Sequence, residues 1–168
     1  MFLMNDYTDR QPSNDRRSRT RREIKQLIAE RNEVLSMYCN LAGCDGTSVN
    51  TDEIEPEQIQ EFCQLLIDYI AIGHFELYQR ISEGVERRHE IVKLADSIYP
   101  RIEKTTQIAV EFNDKYDSGN DLSDISKDQL THHLSKLGEE LATRIELEDQ
   151  LINTLLTAKS NENAEVMQ

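Results

Sequence analysis

Three groups of side chains in this 168-residue chain have types and spacings that can do chemistry. The run Glu86-Arg87-Arg88-His89 contains one Glu-x-x-His pair, half of what a helical di-iron centre requires. There is no second pair. Cys39 and Cys44 are spaced like two metal ligands, but His74, His89, His132 and His133 do not complete a zinc-finger set. With Cys63 the cysteines are odd in number, which fits reduced thiols and not a disulfide framework. The third group is Arg31 and Glu148, each central in an otherwise apolar helical stripe, with His74 flanking another. An unpaired charge at such a place is costly, so the pattern predicts a buried polar network of Arg31, His74 and Glu148. Tyr99, or the Asp96 carbonyl that Pro100 frees, is expected to join it. As an ion-pair layer the network fixes helix register. A metal or redox centre using Glu148, His74 and Cys63 is the rival reading. No nucleophile elbow and no Gly-rich phosphate loop accompanies these residues, so no enzyme, no metal and no cofactor is expected.

These residues must be positioned by helices. Hydrophobic residues make up 38% and charged residues 30%, with 6 Gly, 3 Pro and no Trp, a composition suited to one helical domain. A first helix over about residues 17–42 follows from Ile24, Leu27, Arg31, Val34, Tyr38 and Leu41, and stops at Gly43. Turn formers fill Cys44 to Glu55. Pro56 opens a second helix with the stripe Ile59, Phe62/Cys63, Leu66, Ile70, Gly73, Leu77 and Ile81. Ser82-Glu83-Gly84 interrupts it. The third stripe is Ile91, Leu94/Ala95, Ile98, Ile102, Thr105, Ala109, Phe112 and Tyr116, with a kink expected at Pro100. Ser126 and Gln129 form a capping box for a fourth, striped by Leu130, Leu134, Leu137, Leu141, Ile145, Glu148, Ile152 and Leu155. The expectation is an all-α, antiparallel up-down-up-down four-helix bundle over residues 17–158, with a disordered lead (1–16) and a flexible tail (159–168).

Charge is uneven. The net charge is −13, yet residues 1–25 carry seven Arg and Lys against four acids. The acidic body is repelled by nucleic acid phosphates and attracted to a basic partner surface; the basic N-terminal stretch could touch nucleic acid, but reads first as a flexible, solvated arm. No direct nucleic acid contact by the body is expected, and no apolar run is long enough to span a membrane. With no signal-peptide pattern, the chain is expected in the cytoplasm.

The outer side of the second helix carries the functional signal. Asp68 lies almost opposite the core face, with Leu65, Ile72, Phe75 and Ala71 around it and Glu61, Gln64 and Gln79 at the edges. An acid within an apolar patch and a polar rim is the make-up of a protein-binding surface, the alternative being a sandwiched helix whose back is covered by the lead of the first helix or another loop.

The run Phe62-Cys63-Gln64-Leu65-Leu66-Ile67-Asp68-Tyr69, continued by Gly73-His74-Phe75-Glu76-Leu77-Tyr78 to Ile81, resembles the signature of the Rsd/AlgQ family, bacterial regulators of sigma D. Tyr38-x-Asn40-Leu41-x-Gly43, Pro100-x-Ile102-Glu103 and Leu147-Glu148-Asp149-x-Leu151-Ile152 support it, and it covers about residues 25–158. The resemblance implies an anti-sigma factor: a helical bundle that binds region 4 of the housekeeping sigma factor, the module that reads the −35 element and contacts core RNA polymerase. Leu65, Asp68, Ile72, Phe75 and Glu76 are then the partner-binding residues, and the free protein is expected to be a monomer. Family members carry an Asp-Arg-Trp-Leu-like run where this chain has Lys25-Gln26-Leu27-Ile28, so contacts of that Trp do not carry over.

Overall fold

The apolar stripes decide the architecture, because each helix must cover one face against the others. In the computed structural model, which describes residues 12–43, 54–82, 89–117 and 127–166, they converge on one core. The helices are α1 (Pro12–Ala42), α2 (Pro56–Ile72), α3 (Gln79–Ser82), α4 (His89–Tyr116) and α5 (Lys127–Val166), and a π-helical turn (Gly73–Tyr78) links α2 to α3. Gly73 (φ −57°, ψ −44°) and Gln79 (φ −63°, ψ −40°) are both helical, so α2, the π turn and α3 run on as one helix. The result is an all-α four-helix bundle, with no strand among the described residues.

Local signals set several ends. Gly43 has φ 74°, a left-handed conformation that glycine adopts freely, and its N–H donates to the Cys39 carbonyl at 2.8 Å to close α1. Pro56 occupies the first turn of α2, and the Glu55 N–H donates to Gln58 Oε1 at 3.0 Å. Pro100 sits inside a continuous α4. The Ser126 cap and the turn residues at 44–53 lie outside the described residues.

Two ends differ from the sequence reading. α1 begins at Pro12, not near 17, because Pro is suited to the first helical position and the Arg-rich residues after it favour a helix. α5 continues to Val166 through Ala158, Lys159, Glu162, Ala164 and Glu165, good helix formers with no Gly or Pro among them.

Phe62 is fully buried at the centre of the core, with its ring 6.2 Å from Tyr38 and 5.8 Å, edge-on, from Phe112. α1 and α5 approach closely where the Tyr38 hydroxyl donates to the Leu134 carbonyl at 2.8 Å. A Cβ on Gly138 would lie 2.1 Å from that hydroxyl oxygen, so only glycine fits beside it. Contacts pair Tyr38 with Leu134 and Arg31 with Asp149, the numbering rising in α1 as it falls in α5.

Candidate functional site

Two places hold charge in unusual surroundings, one inside the bundle and one on its surface. The interior site centres on Glu148 of α5, which is 0% exposed. Tyr69 of α2 donates its hydroxyl to Glu148 Oε1. Arg144, one turn earlier on α5, holds its Nε 3.4 Å from Glu148 Oε2. The same guanidinium donates through Nη1 to the hydroxyls of Thr105 and Thr106 on α4, at 3.1 and 2.8 Å, and lies 5.5 Å from the Tyr69 ring centre. Arg31 of α1 comes within 3.8 Å of Glu148, but its shorter contact is a 2.8 Å hydrogen bond to Asp149. Gly73 makes room for the cluster, since a Cβ there would sit 3.2 Å from Arg144 Nη2 and 3.5 Å from Glu148 Oε2.

Electrostatics follow from this packing. Burial raises the Glu148 pKa, against the lowering effects of Arg144, the Tyr69 hydrogen bond and Arg31. Burial and the Glu148 charge push the Tyr69 and Tyr78 hydroxyls well above their ordinary range. Two turns earlier on α5, Glu140 shows the reverse balance. Burial works to raise its pKa, but Arg101, at 2.9 Å, and Lys136, at 3.5 Å, outweigh it and hold the carboxyl below its usual range. Glu140, Arg144 and Glu148 thus form one line of alternating charge along α5 at four-residue spacing.

This cluster differs in membership from the expected network. His74 is exposed, its ring edge-on to Phe75 at a centroid distance of 5.1 Å, and Tyr99 and Asp96 also face solvent. Successive helical residues are about 100° apart, so the neighbour of the core-facing Gly73 leaves the core. Arg144 and Tyr69 take the interior places instead. The missed signal was the Glu-x-x-x-Arg-x-x-x-Glu spacing of α5. Tyr78 was missed for another reason: in a π turn the bonds run i→i+5, so Tyr78 stacks over Gly73 and turns inward.

The metal reading loses its geometry, because exposed His74 is not brought to buried Glu148. Cys63 is buried, and burial followed by the Asp117 charge pushes its thiol up to about 12, far from thiolate chemistry at neutral pH. Among the described residues no group of three His, Cys, Asp or Glu is placed to hold a metal ion, and no helix is long and apolar enough to cross a membrane.

The surface site is the outer side of α2 and the π turn. Asp68 is exposed and accepts a 2.9 Å hydrogen bond from Gln64 Nε2. Phe75 is 60% exposed, an unusual position for a large aromatic side chain. Leu65 and Ile72 are half-buried, each packed against the core while leaving an edge outside, and Glu76 is half-buried with contacts of its own. The face therefore presents two carboxylates, one aromatic ring and two aliphatic edges on one helix. It can grip a complementary surface, and it holds no group placed for bond-breaking.

A binding bundle of this make-up has matches among known proteins. Residues 8–156 match the family described as regulator of RNA polymerase sigma(70) subunit, Rsd/AlgQ. Proteins named Regulator of sigma D are similar: one from Yersinia enterocolitica is 33% identical over 130 residues, 77% of each chain. One from Escherichia coli O1:K1 is 33% identical over 138 residues, 80% of this chain and 84% of its own. One from Yersinia pestis is 34% identical over 130 residues, 77% of this chain and 76% of its own. No solved structure gives a significant match. The class is thus a regulatory binding protein acting on a sigma subunit, and not an enzyme. The chain belongs to the Rsd/AlgQ family.

Proposed function

We propose that this protein is an anti-sigma factor that binds region 4 of the housekeeping sigma factor through the outer face of α2 and the π turn. The observation that carries the reading is exposed Phe75 on the same helix face as Asp68 in a chain of the sigma-regulator family. Region 4 must be basic to bind promoter DNA, so an acidic protein with an apolar centre can occupy the same surface. Phe75 is the anchor, with the edges of Leu65 and Ile72 excluding water around it. Asp68 and Glu76 supply charge for the contact. Occupancy of this surface blocks reading of the −35 element and docking on core polymerase, which favours alternative sigma factors. The free protein acts in the cytoplasm as a monomer.

Calorimetric titration of purified region 4 into the protein, and into its Asp68→Ala and Phe75→Ala variants, tests the proposal. Binding that both variants weaken at least tenfold, with unfolding transitions unchanged, is expected. Absence of binding by the unmodified protein removes the anti-sigma reading and leaves an interaction module for another transcription protein. Unchanged affinity in both variants moves the interface off α2.

A further inference from the structure

The first turns of α1 were read from sequence as a solvated arm, but they are helical from Pro12 onward. Residues 12–25 hold Arg16, Arg17, Arg19, Arg21, Arg22 and Lys25 against Asp15 and Glu23, a net +4 on a chain whose remainder is −17. Arg19, Arg21, Arg22 and Lys25 are exposed, and Ile24 is the first buried apolar residue of the helix. Arg16, Arg19, Arg22 and Lys25 recur every three residues, and Arg17 and Arg21 are four apart, so cations occur on successive turns. The stretch 12–23 contains no apolar side chain except Pro12.

We propose that the start of α1 is a binding site for the phosphodiester backbone of nucleic acid. Three observations select this ligand among polyanions. The segment has no aromatic or aliphatic anchor, which a protein interface uses for most of its energy and an interfacial membrane helix needs for insertion. Its cations are Arg in five of six cases, and the guanidinium fork matches phosphate oxygens in bidentate fashion. Ser13, Ser18 and Thr20 add small hydroxyls of the kind that accompany such contacts. A preformed helix also loses less conformational entropy on docking than a coil would. The acidic remainder repels the same ligand, so contact is confined to this end of α1. The site lies on α1 and does not depend on the sigma reading.

Fluorescence anisotropy with the full-length protein, a labelled 20-base-pair DNA duplex and a single-stranded RNA of 20 nucleotides tests it. With about four phosphates neutralised, affinity for duplex should fall about 100-fold between 50 and 200 mM salt. Substituting Arg19→Gln, Arg21→Gln, Arg22→Gln and Lys25→Gln together should weaken binding at least tenfold. It should also flatten the log–log salt slope by about one for each contacting cation removed. Far-ultraviolet circular dichroism should show unchanged helix, since the four side chains are exposed, and region 4 titration should be unaltered. Preference between duplex and RNA assigns the nucleic acid, either result supporting the site. No binding to either probe at 50 mM salt, full affinity in the substituted protein, or equal affinity for polyglutamate each overturns the proposal.

Discussion

The inner line of α5 and the outer face of α2 both set a carboxylate among apolar side chains, with opposite consequences. Glu148 is sealed from water and meets Arg144, Arg31 and Tyr69 inside the same chain. Asp68 is exposed and meets Gln64 of its own helix at 2.9 Å. A sealed carboxylate must be satisfied during folding, so its partners belong to the stability of the bundle. An exposed carboxylate keeps its water until a partner removes it, so its energy is available for recognition. The contrast separates a structural charge from a docking charge by geometry, not by residue type.

The sharpest way to break the contrast is Arg144→Met, which leaves Glu148 without its main countercharge. It should destabilise the fold by ~3–5 kcal/mol, read as a lower midpoint in denaturant unfolding. An unshifted midpoint would show that Arg144 is not the partner Glu148 needs. Asp68→Ala should do the reverse. Stability should stay within about 0.5 kcal/mol, while region 4 affinity falls by about 2 kcal/mol, measured by calorimetry on the folded variant. Phe75→Ala should match it, and Glu139→Ala on exposed α5 surface should change neither quantity. Arg31→Met lies between the extremes. Its guanidinium and Asp149 both keep some water, so the loss should be about 1–2 kcal/mol, smaller than that for Arg144.

The smallest effect is one of slope. Glu140 has a depressed folded pKa, so its contribution is present above the unfolded carboxyl range and is lost as pH falls through the folded value. Glu148 has a raised folded pKa, so its contribution is complete below the unfolded range and is lost as pH rises through the folded value. Unfolding free energies of Glu140→Gln, subtracted from those of the unmodified protein from pH 3 to 7, should therefore show a difference that shrinks toward acid. The Glu148→Gln difference should shift with the opposite sign. Slopes of one sign in both would remove the distinction between the two carboxylates.

Much of the fold was legible because helical periodicity is a direct record of which face is buried. Ile59, Phe62, Leu66, Ile70, Leu77 and Ile81 were placed on the core by spacing alone, and all six are buried. Glu148 was legible as a buried charge for the same reason. Arg144 was not, because the apolar stripe of α5 was followed through Leu141 and Ile145 and passed it by. His74 was misplaced since a single residue step on a helix separates inside from outside. Tyr78 depended on the π turn, which leaves no mark in an apolar pattern. On the outer face, Asp68 and Phe75 were legible because apolar residues opposite the core have no folding reason to be there, and Leu65 and Ile72 proved to be shared with the core.

The π turn also marks where this helix can change length. A stretch bonded i→i+5 holds one residue more than an α-helix would use to cover the same distance. A relative shortened by one residue between Gly73 and Tyr78 would close into a plain α-helix with everything beyond kept nearly in register, whereas the same deletion within α2 would turn everything beyond it by about 100°. Phe62 to Ile70 would stay seated, and Tyr78 and Ile81 would stay on the core. Single-residue gaps among homologues should therefore fall in this stretch and not within α2, with no second length change needed before α4 begins.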